Sequence, residues 1–344
     1  MLINMIDFRS DTVTKPSSEM LDAMLATPLG DDVYKDDPSV NAFEQKMATL
    51  SGFEAALIMP SGTQSNLCAL LAHCGRGEEY IVGQDYHTYI YEAGGAAVLG
   101  SVVPQPIRVK KNGELSIDDI RSVIKPYDQH FAKSKLISLE NTHNGKAIEL
   151  DYFKRVRSLA NENGLIVHLD GARIFNAITE LNIELKQICQ YVDSISICFS
   201  KGLGAPIGSV LCGDREFIER AKQIRKMAGG GMRQAGLLAG AMDYALEHNV
   251  KRLQNDHDNA LLLATKLSNI EQFTVEHQTN MVHIDVDSSI NQELLAKLLA
   301  AEGIKVSPGG RLRLVTHLDI AKADVIYASE TIKDIIEMML EAQK

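Results

Sequence analysis

The chain lacks most of the sequence features that mark membrane, secreted or nucleic-acid-binding proteins. Among its 344 residues no apolar run approaches the length of a membrane span, and no block of Lys and Arg offsets a formal net charge of −10. We therefore expect no membrane insertion and no nucleic-acid partner. The first residues include Asp7, Arg9 and Asp11 and no basic segment followed by an apolar core, so no signal peptide is expected.

Cysteine is scarce and irregularly spaced. The five cysteines are odd in number and form no C-x-x-C pair. We expect neither a disulfide framework nor a metal site, and this usage fits a reducing cytoplasm. What remains is an ordinary globular composition, 45% hydrophobic and 23% charged, in a chain long enough for one large domain plus a smaller one.

Patterns typical of strands and helices alternate along the first two thirds of the chain. The expected strands cover residues 55–59, 80–82, 102–106, 136–139, 165–169, 195–199 and 209–212. Helices are predicted over residues 39–50, with Ser39 as the cap, and over 63–73 and 152–163. This order predicts an α/β fold with a mostly parallel sheet and helices on both faces.

A second region follows a long helix that is predicted over residues 235–264. Its strands are expected at 281–286 and 311–316, and its helices at 291–301 and 324–342. We expect a large domain with an irregular N-terminal arm over residues 1–250, and a smaller α+β domain over residues 251–344.

Two of the predicted strands end in side chains that could form one site. The strand at 195–199 runs into Lys201 and then into small residues, which let the backbone approach a ligand. The strand at 165–169 ends in Asp170, with Arg173 nearby, and ligands of open α/β sheets bind at such ends. This set suits pyridoxal phosphate, which forms a Schiff base with a lysine. Taken singly, the three could be a surface lysine, a capping aspartate and a surface ion pair.

Three further segments carry polar groups with suitable chemistry. Gly62 and Thr63 follow a short strand and open a helix, whose free N–H groups attract an anion such as a phosphate. His87 could stack on a ring or move a proton, and Arg313 could grip a carboxylate with its guanidinium fork. The same residues are also compatible with an ordinary strand–helix junction, a structural histidine and a solvated edge strand.

Taken together, these stretches resemble the low-specificity L-threonine aldolases, in the aspartate-aminotransferase-like (fold type I) group of pyridoxal phosphate enzymes. The resemblance runs through almost the whole chain, and its order and completeness make it specific. The segments that carry it lie at residues 7–14 (DFRSDTVT), 30–34, 60–63, 87–94, 139–145, 168–173 (HLDGAR), 200–203 (SKGL), 229–234 and 313–317 (RLVTH).

The resemblance implies a role for each matching residue. Lys201 forms the aldimine with the cofactor, Asp170 pairs with the pyridine nitrogen and Arg173 contacts the ring oxygen. The remaining cofactor contacts are expected from Gly62, Thr63 and His87, and the substrate carboxylate is expected to bind Ser10 and Arg313, with Arg173 nearby. It also implies a homotetramer, a dimer of dimers with shared sites. Residues that would reach the site from a neighbouring subunit are Tyr34, Lys226 and Arg233.

The implied reaction is retro-aldol cleavage of L-threonine, L-allo-threonine and related β-hydroxy amino acids to glycine and an aldehyde, through a glycine quinonoid. A base must take the β-hydroxyl proton, and His87, His130 or an ordered water could do so. Tyr91 stands one turn after His87 if that segment is helical, so both could face the substrate side chain.

Other functions are compatible with parts of this pattern. The same scaffold could support β-elimination or transamination, because fold does not decide which bond at Cα breaks. A non-catalytic binding module would not require Lys201, Asp170, Arg173, Ser10 and Arg313 together. A nucleotide-binding protein is disfavoured because the segment around Gly62 lacks a P-loop lysine and no G-x-G-x-x-G opens the chain.

Overall fold

Twelve strands arranged in three sheets make up the framework of the part of the chain that the structure describes. A computed structural model describes residues 5–343. The strands are β1 (Ile6–Asp7), β2 (Ala55–Met59), β3 (Glu78–Gly83), β4 (Val103–Ile107), β5 (Lys133–Glu140), β6 (Ile166–Asp170), β7 (Ser194–Cys198), β8 (Ser209–Gly213), β9 (Phe273–Gln278), β10 (Met281–Val286), β11 (Ile304–Lys305) and β12 (Leu312–Val315). All seven predicted strands of the first region and both of the second are confirmed, with small shifts at their ends.

Helices connect and cover the strands. They are α1 (Ser18–Ala26), α2 (Pro38–Ser51), α3 (Gly62–His73), α4 (His87–Ile90), α5 (Gly95–Gly100), α6 (Ile117–Val123), α7 (Leu150–Asn163), α8 (Ile174–Leu181), α9 (Leu185–Cys189), α10 (Arg215–Met227), α11 (Gly236–His248), α12 (Leu253–Leu267), α13 (Gln292–Ala301) and α14 (Lys322–Glu341). None of the helices in residues 5–343 is both long and apolar enough to cross a bilayer.

The central sheet has seven strands in the order β2-β8-β7-β6-β5-β3-β4. All neighbours from β4 to β7 are parallel, and β8 runs antiparallel to β7 and to β2. Strands β7 (SISIC) and β8 (SVLCG) are buried along their whole length, and their residues are accordingly apolar or small and uncharged on both faces. The predicted α/β class with a mostly parallel sheet is confirmed.

The two faces of this sheet pack against different helices. Leu57 and Met59 of β2 belong to one apolar cluster with α3 and α10, whereas Ile58 belongs to the main cluster on the other face. Helix α2 lies on that second face against β2 and β8. The alternation of side chains along each strand therefore divides the core into two layers.

A smaller antiparallel sheet, β12-β10-β9, packs with α12, α13 and α14 around a separate apolar cluster. The N-terminal segment joins this cluster: β1 pairs with β11, and the fully buried ring of Phe8 lies within it. The division at residue 250 stays a proposal. The contacts of residues 6–8 associate the start of the chain with its C-terminal region.

Two local predictions were wrong. Helix α2 is capped by Asp37 rather than Ser39, because the Asp37 carboxylate accepts hydrogen bonds from the N–H groups of Ser39 and Val40, and Pro38 suits the first helical position. The long helix over residues 235–264 is two helices, α11 and α12. The break follows Asn249, whose side-chain amide donates to the Leu203 carbonyl (2.8 Å).

Candidate active site

A cleft opens at the carboxyl ends of β5, β6 and β7. Parallel strands bring their carboxyl ends to one edge of the sheet, where ligands of such folds bind. Six of the predicted site residues line this cleft together. They are His87, Tyr91, Asp170, Arg173, Lys201 and Arg313.

Asp170 is the last residue of β6, and Lys201 lies shortly after the end of the adjacent strand β7. The backbone of Lys201 is fixed because its carbonyl accepts from the Thr14 hydroxyl (2.9 Å) and from the Gly204 N–H (2.8 Å). The Asp170 carboxylate is buried and accepts from the Ala172 N–H (3.0 Å) and from the Asn66 amide (2.9 Å). An amine and a carboxylate are thus held on neighbouring strands, with the carboxylate shielded from water.

His87 begins the short helix α4 and points its ring into the cleft. Its backbone N–H donates to Glu140 (2.6 Å), and its Nδ1 lies 2.9 Å from the buried Glu92 carboxylate. This hydrogen bond raises the pKa of His87 above its ordinary value, although burial acts in the opposite direction. Tyr91 stands next to it, with ring centroids 5.6 Å apart, as the helical spacing predicts.

Two guanidinium groups lie at one side of the cleft. Arg173 donates to both oxygens of the fully buried Asp11 (2.8 and 2.5 Å), which fixes its orientation. Arg313 donates to the carbonyl of Arg9 (3.2 Å) and has no carboxylate partner in residues 5–343. Burial, and the Arg173 charge after it, lower the pKa of Arg313. The cleft therefore has a positive side that suits the carboxylate of a ligand.

The N-terminus of α3 faces the end of β7. A side chain at Gly62 would place its Cβ 2.5 Å from the Cys198 sulfur, so this close approach requires glycine. Ser61 caps the helix by accepting from the Gln64 N–H (3.1 Å), which leaves the N–H groups of Gly62 and Thr63 free for an anion. The hydroxyl of Ser65 is buried without a hydrogen-bond partner in the described residues.

Several predicted residues do not line the cleft of a single subunit. Ser10 caps the short helix at Asp11–Val13. His130 is exposed on a loop before β5 and bonds Asp128 (2.5 Å). The three residues predicted to act across a subunit boundary lie at the surface near α10. Tyr34 is exposed, and Arg233 forms an ion pair with Asp31 (3.0 Å). The side chain of Lys226 lies against Gly231.

Sequence reasoning missed several polar residues that contact the predicted set, among them Asn66, Glu92 and Glu140. Glu140 ends β5 as Asp170 ends β6, so the strand-end argument could have found it. Glu92 lies in the same segment as His87, but only the folded loop shows that they meet. No pattern in the sequence points to Asn66, which lies in the second turn of α3.

Sheet order and the residues at the strand ends together define a class of enzyme, the pyridoxal phosphate-dependent enzymes of fold type I. The sequence profile of the beta-eliminating lyase family matches residues 7–289. The chain is 54% identical over 318 residues to the low specificity L-threonine aldolase of Escherichia coli strain K12, covering 92% of this chain and 95% of the relative. It is 39% identical over 357 residues to low-specificity L-threonine aldolase 1 of Arabidopsis thaliana, covering 100% of both. The chain belongs to the low-specificity L-threonine aldolases within this lyase family.

Solved structures show the same fold at low sequence identity. A threonine aldolase of Leishmania major superimposes with a TM-score of 0.82 at 21% identity, covering 96% of this chain and 99% of that one. The serine palmitoyltransferase of Sphingomonas wittichii gives 0.76 at 16% identity, covering 97% and 88%. These two likenesses concern the fold alone.

Proposed function

We propose that this protein uses pyridoxal phosphate to cleave L-threonine, L-allo-threonine and related L-β-hydroxy-α-amino acids into glycine and an aldehyde. The observation that carries the proposal is the cleft in which Lys201 and Asp170 face His87, Arg173 and Arg313. The reaction itself is inferred from the relatives, because the match to the Escherichia coli aldolase covers nearly the whole chain at 54% identity.

The residues present fit pyridoxal phosphate. The buried Asp170 carboxylate would bind the ring nitrogen, and Lys201 would bind the cofactor covalently through its amine. The free N–H groups of Gly62 and Thr63, next to the unpartnered Ser65 hydroxyl, suit the phosphate, and only glycine fits against Cys198. When bound, the cofactor supplies an electron sink for the bond that breaks at Cα.

The protein's own side chains then orient the substrate and move its proton. Arg313, which has no carboxylate partner in the described residues, would bind the substrate carboxylate, with Arg173 beside it and Ser10 close by. His87 is the first candidate for the base because Glu92 holds its Nδ1, which leaves Nε2 free to accept the β-hydroxyl proton. His130 remains a second candidate, and Tyr34, Lys226 and Arg233 remain proposed contributions from a neighbouring subunit.

The visible spectrum of the purified protein, recorded with and without L-allo-threonine while aldehyde is assayed, tests this function. We expect a cofactor band together with aldehyde and glycine in equal amounts. A band with 2-oxobutanoate and ammonia instead would mean β-elimination. The absence of any band after pyridoxal phosphate is supplied would overturn the proposal.

We further propose a homotetramer in the cytoplasm. Large apolar side chains are exposed beside the residues predicted to act across subunits, including Tyr34 (74% exposed) and Met227 (77%), which is unusual unless a second subunit covers them. All five cysteines are free and buried, which suits a reducing compartment. Sedimentation velocity measures the assembly mass directly.

We expect Tyr91 to set the preference between threonine and allo-threonine. Its ring is 69% exposed, lines the cleft and stands beside His87, so its hydroxyl can reach the substrate's β-substituent. The Tyr91→Phe variant should change the ratio of kcat/KM for the two diastereomers by about threefold or more, the equivalent of one hydrogen bond. Exposed Tyr127 gives a matched control as Tyr127→Phe. An unchanged ratio in Tyr91→Phe would exclude this role.

Replacement of Glu92 should shift the pH profile. His87 must be neutral to accept a proton, so kcat/KM falls as the pH drops below its raised pKa. The charges that act on His87 are those of Glu92 and Asp170, which raise its pKa, and of Lys201, which lowers it. Glu92→Gln removes the first, and the acid limb should move to lower pH. Glu140→Gln alters the partner of the His87 backbone N–H and of His143 Nδ1 but no hydrogen bond of the His87 ring, so in that variant the limb should stay in place. An unmoved limb in both variants would count against His87 as the base.

A further inference from the structure

A chain of hydrogen bonds runs behind the cleft through the middle of the sheet. Asn66 Nδ2 lies 2.9 Å from Asp170 Oδ2 and 2.9 Å from Glu92 Oε1, and Asn66 Oδ1 lies 3.2 Å from His168 Nε2. His168 Nδ1 lies 2.8 Å from the Ser194 hydroxyl. These five residues are buried, and water cannot replace any of the bonds.

The chemistry of the groups fixes the direction of every bond in this chain. Two carboxylates can only accept, so Asn66 turns its NH₂ toward them and its carbonyl toward His168. His168 must then carry its proton on Nε2 and accept at Nδ1, which obliges Ser194 to donate. Burial lowers the pKa of His168 to about 3, which keeps the ring neutral as this arrangement requires.

The chain continues one residue further, to the amino end of the sheet. Ser194 also lies 2.7 Å from His73 Nε2, and since its proton is already given to His168, it accepts there. His73 stacks on Phe217 with ring centroids 4.2 Å apart, and burial lowers its pKa to about 3 as well. Each member is thereby held in one orientation by the next.

We propose that Asn66 is a positioning residue which, oriented by His168 and Ser194, holds Asp170 as the acceptor for the ring nitrogen and keeps Glu92 beside His87. Asn66 would contact neither substrate nor cofactor directly, and it would act through the carboxylates of Asp170 and Glu92. Its amide also separates two buried negative charges, which would otherwise repel each other at close range. This inference rests on the proposed binding of pyridoxal phosphate.

The sheet register supplies a matched pair of variants. Ser194 on β7 and Ser138 on β5 are both fully buried and flank His168 on its two sides. Only Ser194 bonds His168, whereas the Ser138 hydroxyl has no partner in the described residues. Ser194→Ala therefore removes the two bonds of the chain that the Ser194 hydroxyl makes, to His168 and to His73. Ser138→Ala removes the same kind of hydroxyl group and leaves the chain of hydrogen bonds unchanged.

The test uses the holoenzyme loaded with pyridoxal phosphate that is ¹⁵N-labelled in the ring. We expect a protonated ring nitrogen in the unmodified protein and in Ser138→Ala, and a ¹⁵N resonance shifted toward neutral pyridine in Ser194→Ala and further in Asn66→Ala. The dissociation constant of the cofactor should rise about threefold in Ser194→Ala and about tenfold in Asn66→Ala, as loss of a neutral and of a charge-assisted hydrogen bond respectively would give. Thermal melting of the apoenzymes checks that each variant folds.

The outcomes separate this inference from the proposed function. If the unmodified protein binds no cofactor, the function fails before the variants are compared. If it binds cofactor and releases aldehyde, but Ser194→Ala matches Ser138→Ala in ring protonation and affinity, the positioning role is wrong. That comparison stands even if Asn66→Ala does not fold.

Discussion

In the Lys201→Ala variant we expect aldehyde release to fall by about 10³-fold or more and the covalent cofactor band to disappear. Lys201 is the lysine of the cleft and the group proposed to bind the cofactor covalently, and we expect its loss to cost at least as much as the about 10²–10⁴-fold that a positioned acid or base contributes. Pyridoxal phosphate should still bind, because Asp170 and the N-terminus of α3 are unchanged. The measurement is single-turnover aldehyde release together with the absorption spectrum.

Two controls decide whether this loss is specific. Lys46→Ala removes a lysine that pairs with Asp243 and Glu247 at the surface, and it should leave both readouts as they are. Borohydride reduction of the unmodified holoenzyme should fix the cofactor on the peptide that contains Lys201. Label on another lysine, or full turnover by Lys201→Ala, would contradict the assignment.

The Asp11→Ala variant should lose about 3–5 kcal/mol of unfolding free energy, because it leaves the Arg173 guanidinium buried without its partner. Asp11 is fully buried and accepts two hydrogen bonds from Arg173, with a longer one from Asn280 (3.4 Å). KM should rise as well, since Arg173 loses its fixed orientation in the cleft. Urea denaturation and steady-state kinetics measure the two effects.

A second carboxylate four residues earlier provides the control for Asp11. Asp7 makes a similar two-pronged contact with Arg9 (2.8 and 2.6 Å), but the Arg9 side chain is 46% exposed. Solvent-exposed pairs contribute only about 0–1 kcal/mol, so Asp7→Ala should be mild. Equal losses in the two variants would show that burial of the pair is not what matters.

The Asp11 pair also predicts how stability depends on pH. Burial raises the pKa of Asp11, but the charge and hydrogen bonds of Arg173 outweigh it and hold the pKa below the ordinary value of 3.8. A carboxyl group whose folded-state pKa is lowered contributes fully above its unfolded value and loses its contribution as the pH falls further. The stability difference between Asp11→Ala and the unmodified protein should therefore shrink below about pH 4.

The sequence was sufficient for the parts of the fold that depend on local pattern. Central strands such as β6 and β7 are short segments with isoleucine, valine or leucine at alternate buried positions, and the ends of these segments placed Asp170 and Lys201 at one edge of the sheet. The same reasoning failed at the break after Asn249, because that break depends on a contact with Leu203, 46 residues away in the chain.

The sequence pattern did not reveal residues that act by positioning other side chains. His168 sits inside an apolar strand, and Asn66 inside an ordinary-looking helix. Their importance comes from hydrogen bonds across 102 and 104 positions of the chain, between His168 and Asn66 and between Asn66 and Asp170.

The pairing of β1 with β11 has a consequence for the order in which the protein matures on the ribosome. Phe8 lies in the C-terminal apolar cluster, and its carbonyl accepts a hydrogen bond from the Val315 N–H (2.8 Å). The backbone carbonyl of Arg9 accepts a hydrogen bond from the Arg313 guanidinium. The first strand must therefore remain unpaired until its partner strand β11, which ends at residue 305 of the 344, has been synthesised. Contacts of such long sequence separation are costly in loop entropy and form late. The substrate-binding side of the cleft, which includes Arg313, is thus completed late in folding. A partly synthesised chain contains Lys201 before it contains the arginine proposed to bind the substrate carboxylate.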